Sequence, residues 1–474
     1  MQIPVIDVFA GPGGLNEGFS QFRDSAGLPY FESRLAAEMD SNAVATLRLR
    51  KFFRLSASRK TLKKYKHYVT TNDRSVLEKD EDWIASSAEV AKVELGIEED
   101  NQRFDKLLSS SLKGQKAWVL LGGPPCQAYS NIRRWTYRTQ DGFDLSNDHR
   151  AHLYQEYLRI IESFGPNIFV MENVKGILSS QFFERIINDL ETVKYKKLSY
   201  RIHSLVLPAG EISRPHDFLV KSEDYGVPQC RHRVILLGIR EDIKSTPKTL
   251  KKFKQTTNVF DVLGDLPKLR SGFSKEENSN DNWQSFVEAS LKKLCQELGH
   301  RTIPVDMLEQ RSQSFKPSKS NDPLKNFLYE DHLGFVTNHE TRRHIADDVK
   351  RYAYCALYGQ KFGKSPRTSD FPLHLVPKHK NWHTGKFNDR FRVQLKEFPS
   401  TTITSHIAKD GHAYIHYDPA QARSLTVREA ARLQTFPDNY HFEGPRTEQY
   451  KQVGNAVPPY LARQIAEIVH NLLS

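Results

Sequence analysis

Cysteine is scarce: the 474 residues contain four, and Cys126, Cys230, Cys295 and Cys355 lie far apart with no CxxC pair. That spacing excludes a disulfide framework and a cysteine-rich zinc site, and it fits a reducing compartment. Long apolar runs are missing too, and no basic segment followed by an apolar core opens the chain, so neither a membrane span nor a signal peptide is expected. His374, His379 and His383 do not make a metal site, because Pro377 breaks the helix that would align them and no cysteine lies nearby. No internal repeat is visible, and the GxGxxG dinucleotide fingerprint is absent. These absences leave a soluble, cytoplasmic protein, without metal, long enough for two or three domains.

Positive charge is what the chain has in excess. Lys and Arg total 69 against 57 acids, a formal net charge of +12. The excess is clustered: nine basic residues and no acid stand between Arg48 and Lys66, and five lysines and no acid between Lys244 and Lys254. Either run alone reads as a solvated face. Together with the net charge they favour a polyanion partner, since cations gain by displacing counterions from phosphates.

The N-terminal half alternates apolar strands with helical patterns. Ile3–Phe9 reads as a buried strand and is followed at once by Ala10-Gly-Pro-Gly-Gly14. Leu15, Phe19 and Phe22 then recur at helical spacing, with Gly27 as a stop. A glycine turn between strand and helix lets backbone approach a ligand and offers the helix's unpaired N–H groups to it. The next strand, Ser33–Ala37, leads into Glu38-Met39-Asp40, a carboxylate where a ribose diol would lie. Further strands are expected at 117–121, 167–171 and 233–239, with helices at 152–164 and 181–191, while 79–116 reads as a polar excursion with helical content. Such alternation predicts an α/β fold with a mainly parallel sheet. From about 243 to 412 the chain is polar and irregular in period, which suggests a separate domain with much loop. Regularity returns with a capping box at Thr426–Glu429 and a final amphipathic helix opened by Pro458-Pro459.

Six segments carry the chemistry: Asp7–Gly14, Gly123-Pro-Pro-Cys-Gln127, Glu172-Asn-Val174, Gln229-Cys-Arg-His-Arg233, Arg423–Asp438 and Gln452-Val-Gly-Asn-Ala-Val457. Their order and spacing resemble those of bacterial-type DNA (cytosine-5) methyltransferases over residues 1–240 and about 400–474. Between these stretches the resemblance is one of position only, where family members carry a variable target-recognition domain. It implies a Rossmann-like S-adenosylmethionine-dependent catalytic domain at 1–242, a smaller target-recognition domain at 243–412, and a return to the catalytic domain at 413–474.

The chemistry can be argued from the residues themselves. Carbon 5 of cytosine takes a methyl group only after a nucleophile has added at carbon 6. Cys126, on a loop after an apolar strand, is the candidate, because a thiol is intrinsically nucleophilic once activated. Glu172, just past the strand 167–171, would stabilise the adduct at the ring's N3 edge. Arg231 and Arg233 alternate at strand period, so both guanidiniums are expected on one face, to hold the cytosine O2 or a flanking phosphate. The resemblance assigns Arg233 in particular to the active centre.

The cofactor implied by the resemblance is S-adenosyl-L-methionine. Phe9, Gly11, Gly13, Gly14 and Leu15 would line its methionine end, Glu38 the ribose, and Asp73 the adenine amino group, with Pro125, Leu153, Asn455 and Val457 completing the pocket. Many family members have tryptophan beside the ribose carboxylate; here Met39 replaces that stacking surface with a thioether. The partner is double-stranded DNA, from which the target cytosine must be flipped to reach a thiol in a cleft. Residues 128–150, including Ser130, Arg133 and Arg134, read as a loop closing over DNA, and Arg390, Arg392 and Thr404 as phosphate or base contacts. The implied protein is a monomeric modification enzyme paired with a restriction endonuclease, in the bacterial cytoplasm or nucleoid. A tRNA methyltransferase on the same scaffold is disfavoured by the long basic insert, and an inactive DNA-binding relative by the intact Cys126, Glu172 and Arg233.

Overall fold

A computed structural model describes residues 2–55, 59–125, 149–179, 182–208, 210–317, 320–377, 382 and 389–474. The chain divides into two compact units, one of residues 1–225, 231–254 and 456–474, the other of residues 226–230 and 255–455.

The first unit is built on an eight-stranded sheet. Its strands are β1 (Ile3–Val8), β2 (Phe31–Glu38), β3 (Val90–Lys92), β4 (Val119–Gly122), β5 (Ile168–Val174), β6 (Tyr200–Ser204), β7 (Leu219–Lys221) and, after the two-residue β8 (Gln229–Cys230) of the second unit, β9 (His232–Arg240). The order is β3-β2-β1-β4-β5-β9-β6, with β7 also on β9. Pairing is parallel from β3 to β5, and β9 is antiparallel to β5, β6 and β7. The apolar runs lie in the middle of the sheet: Val5, Ile6, Val119, Leu120, Leu121, Phe169, Val170, Ile235 and Leu237 are fully buried. This matches the rule that parallel strands covered on both faces read as continuous hydrophobic runs.

Helix α1 (Gly14–Ser20) packs on the C-terminal helix Pro459–Leu473. Two glycines one turn apart permit it. A Cβ on Gly14 would lie 2.1 Å from the Val457 carbonyl oxygen, and one on Gly18 would lie 2.4 Å from the Ala462 Cβ. α1 ends at Ser20, two residues before Phe22, the last apolar residue of its pattern, and Gly27 closes a separate turn on Asp24.

The second unit has a core of its own around two long helices, Asn280–Leu298 and Ala346–Phe362. These lie in the stretch expected to form a separate domain with much loop. Its most polar feature is the Arg423–Asp438 segment, whose three arginines are fully buried. Arg423 forms two bonds to Glu429 (2.6 and 2.7 Å), Arg432 forms two to Asp438 (2.7 and 2.8 Å), and Arg428 reaches the carbonyls of Thr337 and Pro437. Thr426 and Glu429 form the expected capping box. Because these arginines also bind Val262 and Leu269 carbonyls, residues 413–455 fold with 255–412, and the chain returns to the first unit at Ala456 rather than at 413.

Candidate active site

The sheet register brings the motifs into one row. Val8 pairs with Ala37 on one side and Gly122 on the other, Gly122 with Met171, and Met171 with Leu236. The next residues along β2, β1, β4 and β5 are therefore Glu38, Phe9, Gly123 and Glu172, side by side at the carboxyl edge. With strands ~4.8 Å apart, Glu38 and Glu172 stand on the order of 14 Å from one another. β1 and β4 flank the point where the chain changes direction across the sheet, where open α/β sheets bind ligands.

At the β1 end the backbone turns sharply, with φ of 54° at Phe9, 54° at Gly11 and 82° at Gly13. Glu38 holds this turn. Its Oε2 accepts from the Gly11 N–H (2.7 Å) and its Oε1 from the N–H groups of Met39 and Asp40 (both 2.9 Å). A carboxylate has about four acceptor positions, so roughly one is left for a ligand hydroxyl. Burial pushes the Glu38 carboxyl above its ordinary pKa, the three N–H donors opposing the rise. Beneath the turn lies Asp7, 1% exposed, pushed up to about 7 by burial first and by Glu38 second, against Arg54 and the Asn16 N–H.

Around this turn the expected cofactor residues separate into groups. Leu15 is buried, Met39 is 56% exposed and Pro125 is exposed. Gly14 presses on the Val457 backbone, which sets Val457 beside the glycine turn. Leu153 lies against Gly96, in the loop after β3. Asn455 is exposed at the last position of the second unit. Asp73 is not at a strand end. It sits in the turn after the helix Arg59–Thr71, exposed, its Oδ1 accepting from the Ser75 N–H and hydroxyl. The third strand arrives later, at Val90–Lys92, inside the stretch read as an excursion.

At the β5 end, Glu172 Oε1 pairs with Arg233 Nε at 2.8 Å, the two side chains 12% and 15% exposed. Arg233 Nη1 also donates to the His232 carbonyl. The other oxygen, Oε2, faces Gly123, where a Cβ would come within 3.2 Å of it. Asn173 ties down the same loop: its Nδ2 donates to the Pro124 carbonyl (3.2 Å) while its Oδ1 accepts from the Val174 N–H (2.8 Å). Sequence reasoning took Glu172-Asn-Val174 for its carboxylate and overlooked this role of Asn173. Arg231 does not share a strand face with Arg233. It falls between β8 and β9, is 1% exposed, and its carbonyl accepts from the Ser222 N–H and hydroxyl. Cys126, Ser130, Arg133 and Arg134, with the rest of 126–148, lie outside the described residues.

Residues 91–471 match the family of C-5 cytosine-specific DNA methylases. The chain belongs to this family. It is 32% identical over 498 residues to type II methyltransferase M.Bpa9945I of Bacillus paralicheniformis, covering 99% of each protein. It is 27% identical to type II methyltransferase M1.HphI of Haemophilus parahaemolyticus, covering 99% of this chain and 87% of that one. In fold it resembles a crystal structure of a candidate DNA modification methyltransferase encoded in an E. coli prophage, with a TM-score of 0.59, 20% identity and coverage of 100% and 99%. The methylase is thus a DNA (cytosine-5)-methyltransferase with the Rossmann-like fold of S-adenosyl-L-methionine-dependent enzymes, and it takes its methyl group from that cofactor. Among the described residues, no helix is long and apolar enough to cross a membrane.

The methylase uses much of its N-terminal basic run internally. Arg50 and Arg54 hold the fully buried Glu17 at 2.6 and 2.5 Å, Arg48 lies 4.0 Å over the Trp83 ring, Lys51 pairs with Glu89, and Lys64 binds Asp80 at 2.5 Å. Glu17 is held down at about 2: burial opposes the drop, and the Arg50 and Arg54 charges overcome it. Of the expected DNA contacts, Arg390 is exposed and 3.3 Å from Asp410, Arg392 pairs with Asp389, and the Thr404 hydroxyl is 2.8 Å from the Tyr414 hydroxyl.

Proposed function

We propose that Cys126 is the nucleophile of this methyltransferase and that Glu172 and Arg233 form the polar wall against which the target cytosine is held. The observation that carries the reading is the Glu172–Arg233 pair at 2.8 Å, with Glu172 Oε2 turned to the loop that leads into Cys126. The Cys126 Sγ would bond to carbon 6 of the flipped base, making carbon 5 electron-rich. Glu172 is the group set to share the proton at N3 as the adduct forms, and Arg233 fixes its orientation. After methylation, loss of the carbon 5 proton and of the thiolate restores the ring. S-adenosyl-L-methionine supplies the electrophilic methyl group when bound.

The residues fit that cofactor. Glu38 keeps one acceptor position for a ribose hydroxyl, Phe9, Gly11 and Gly13 carry the left-handed backbone that clears space above β1, and Val457 and Leu153 border the same edge from the C-terminal segment and the β3 side. Gly14 acts by letting Val457 approach. Met39 would offer its thioether to the adenine, and Pro125 and Leu15 would close the methionine end. The local capping role of Asp73 argues against its reaching the adenine. Exposed Arg390 and half-buried Arg392 are cations of the second unit that would meet DNA phosphates.

The similarity to type II methyltransferases supports a further reading, that the enzyme is the modification component of a restriction-modification pair acting on double-stranded DNA in the bacterial cytoplasm. Labelled methyl transfer to duplex DNA, with Cys126→Ala as control, tests the chemistry; transfer persisting in the variant overturns it. Bisulfite sequencing of DNA from expressing cells should show one modified sequence context, whereas scattered modification would refute site specificity.

A further inference from the structure

The second lysine run has a defined place in the fold. After β9 the chain doubles back along β6, the outermost strand. The Glu241 N–H donates to the Ser199 carbonyl, Arg201 to the Ile243 carbonyl (2.6 Å), and the Leu250 N–H to the Leu205 carbonyl (2.8 Å). The strap is then fixed by the Phe253 N–H on the Asp224 carbonyl (2.8 Å) and by buried Leu250. It forms no strand or helix, yet its backbone is anchored at both ends.

Its direction matters. Ser204 and Met171 both pair with Leu236, so the end of β6 and the Met171 position of β5 belong to one row. Leu205, where the strap is pinned, is therefore two strand spacings, roughly 10 Å, from Glu172 along the same edge. Lys248, Lys251, Lys252 and Lys254 are all exposed there. Lys252 is neutralised by Asp224 at 2.9 Å, and Lys244 stands next to the acids Glu241 and Asp242. Lys248, Lys251 and Lys254 have no acidic partner among the described residues.

We propose that this strap is a sequence-independent rail for the phosphates of duplex DNA flanking the methylated cytosine. The proposal rests on the DNA methyltransferase reading and adds a contact outside the second unit. At ~3.4 Å of helix rise per base pair, a span of roughly 10–20 Å along the edge corresponds to about three to six base pairs beyond the target. An anchored backbone with outward lysines suits a phosphate track, because the cost of ordering the chain is already met in the free protein. The competing explanation is edge protection. Lysines and Pro247 beside an outer strand would discourage sheet-to-sheet pairing without touching DNA.

The test is fluorescence anisotropy of a labelled duplex of arbitrary sequence, at several salt concentrations, with the full-length enzyme and its Lys248→Gln/Lys251→Gln/Lys254→Gln variant. Three lost phosphate contacts should reduce the slope of log affinity against log salt by up to about 2.7 and weaken binding roughly tenfold or more at low salt. Arginine at the same three positions should restore the slope. An unchanged slope in a variant that still binds S-adenosyl-L-methionine normally overturns the proposal, and the same result with increased aggregation identifies edge protection instead. If the glutamine variant is insoluble, the arginine variant with Lys251→Gln alone should lose about 0.9 of slope, and no loss overturns the rail. Wild-type enzyme that binds no duplex DNA at all would instead refute the functional reading beneath it.

Discussion

Replacing Gly14 by alanine separates packing from cofactor binding. The added Cβ would be 2.1 Å from the Val457 carbonyl oxygen and 3.1 Å from its nitrogen, so one backbone must retreat by about 1.3 Å or more to reach ordinary contact. Neither neighbour is the end of a side chain that could rotate away. Overpacking of this kind costs about 3 kcal/mol, and alanine in a helix regains about 1, leaving ~2 kcal/mol of destabilisation. For a unit of this size that is a fall in Tm of about 4–8 °C. Gly18→Ala is the control, since its Cβ would meet the Ala462 Cβ and the Pro459 oxygen at 2.4 Å, in the same interface one turn further along. Both variants should melt early. Only Gly14→Ala displaces Val457, and a ligand that needs Val457 in place must overcome the same strain, raising its Kd up to about thirtyfold. Calorimetric titration with S-adenosyl-L-methionine reads the difference. Equal losses of affinity in the two variants, or none in Gly14→Ala, would refute the reasoning that Val457 borders the cofactor.

Two further predictions concern charge. Arg233→Ala strips the largely buried Glu172 of its counter-charge, so methyl transfer in a single turnover should fall by about 10²–10⁴ with cofactor affinity unchanged; Arg233→Lys, which keeps the charge without the planar fork, should retain part of the rate. A loss smaller than threefold in Arg233→Ala would remove Glu172 and Arg233 from the chemistry. In the second unit, burial holds His339 and His416 at about 4, and both are neutral: the His339 Nε2–H donates to the Pro267 carbonyl, and the His416 Nδ1 accepts from the Asp418 N–H. Their folded pKa values lie below the unfolded value near 6.5, so the unfolded chain binds more protons in between; stability is fully present above about 6.5 and is lost as pH falls toward 4. Each histidine should cost roughly 2 kcal/mol at pH 5, less if the two titrate together. Because buried Asp7, at about 7, shifts stability the opposite way over this range, the change in urea midpoint from pH 7 to pH 5 is compared with that of a His339→Gln/His416→Gln variant, and equal changes in the two proteins would contradict the neutral assignment.

β1, β4, β5 and β9 were legible because each carries a continuous apolar run, the pattern a strand buried on both faces must have, and β2 through its buried Leu35-Ala36-Ala37 end. β3 was missed because it is three residues long, with only Ala91 fully covered, and its packing depends on Val93 and Leu95 just beyond it. Asp73, which the resemblance assigned to the adenine, lies before that strand, in the turn after the helix Arg59–Thr71. The long helices of the second unit could have been found, since Trp283, Val287, Leu291 and Leu294 repeat at helical spacing and are buried. Averaging over a polar region hid them.

The arginines make the opposite point. Arg423, Arg428 and Arg432 belong to a motif recognised for its resemblance, and a positively charged cluster in a DNA enzyme invites a phosphate role. Their burial excludes that role in the described structure, because every guanidinium is bound to carboxylates or carbonyls of the second unit. In the first unit, Arg50 and the less buried Arg54 are likewise held by the Glu17 carboxylate. A motif match therefore marks a position as constrained without saying by what, and net charge overstates the DNA-facing surface by the number of cations that the fold neutralises. The lysines of 244–254 differ on this count, since at Lys248, Lys251 and Lys254 the described structure supplies no acid, which is the physical reason to look there for a polyanion.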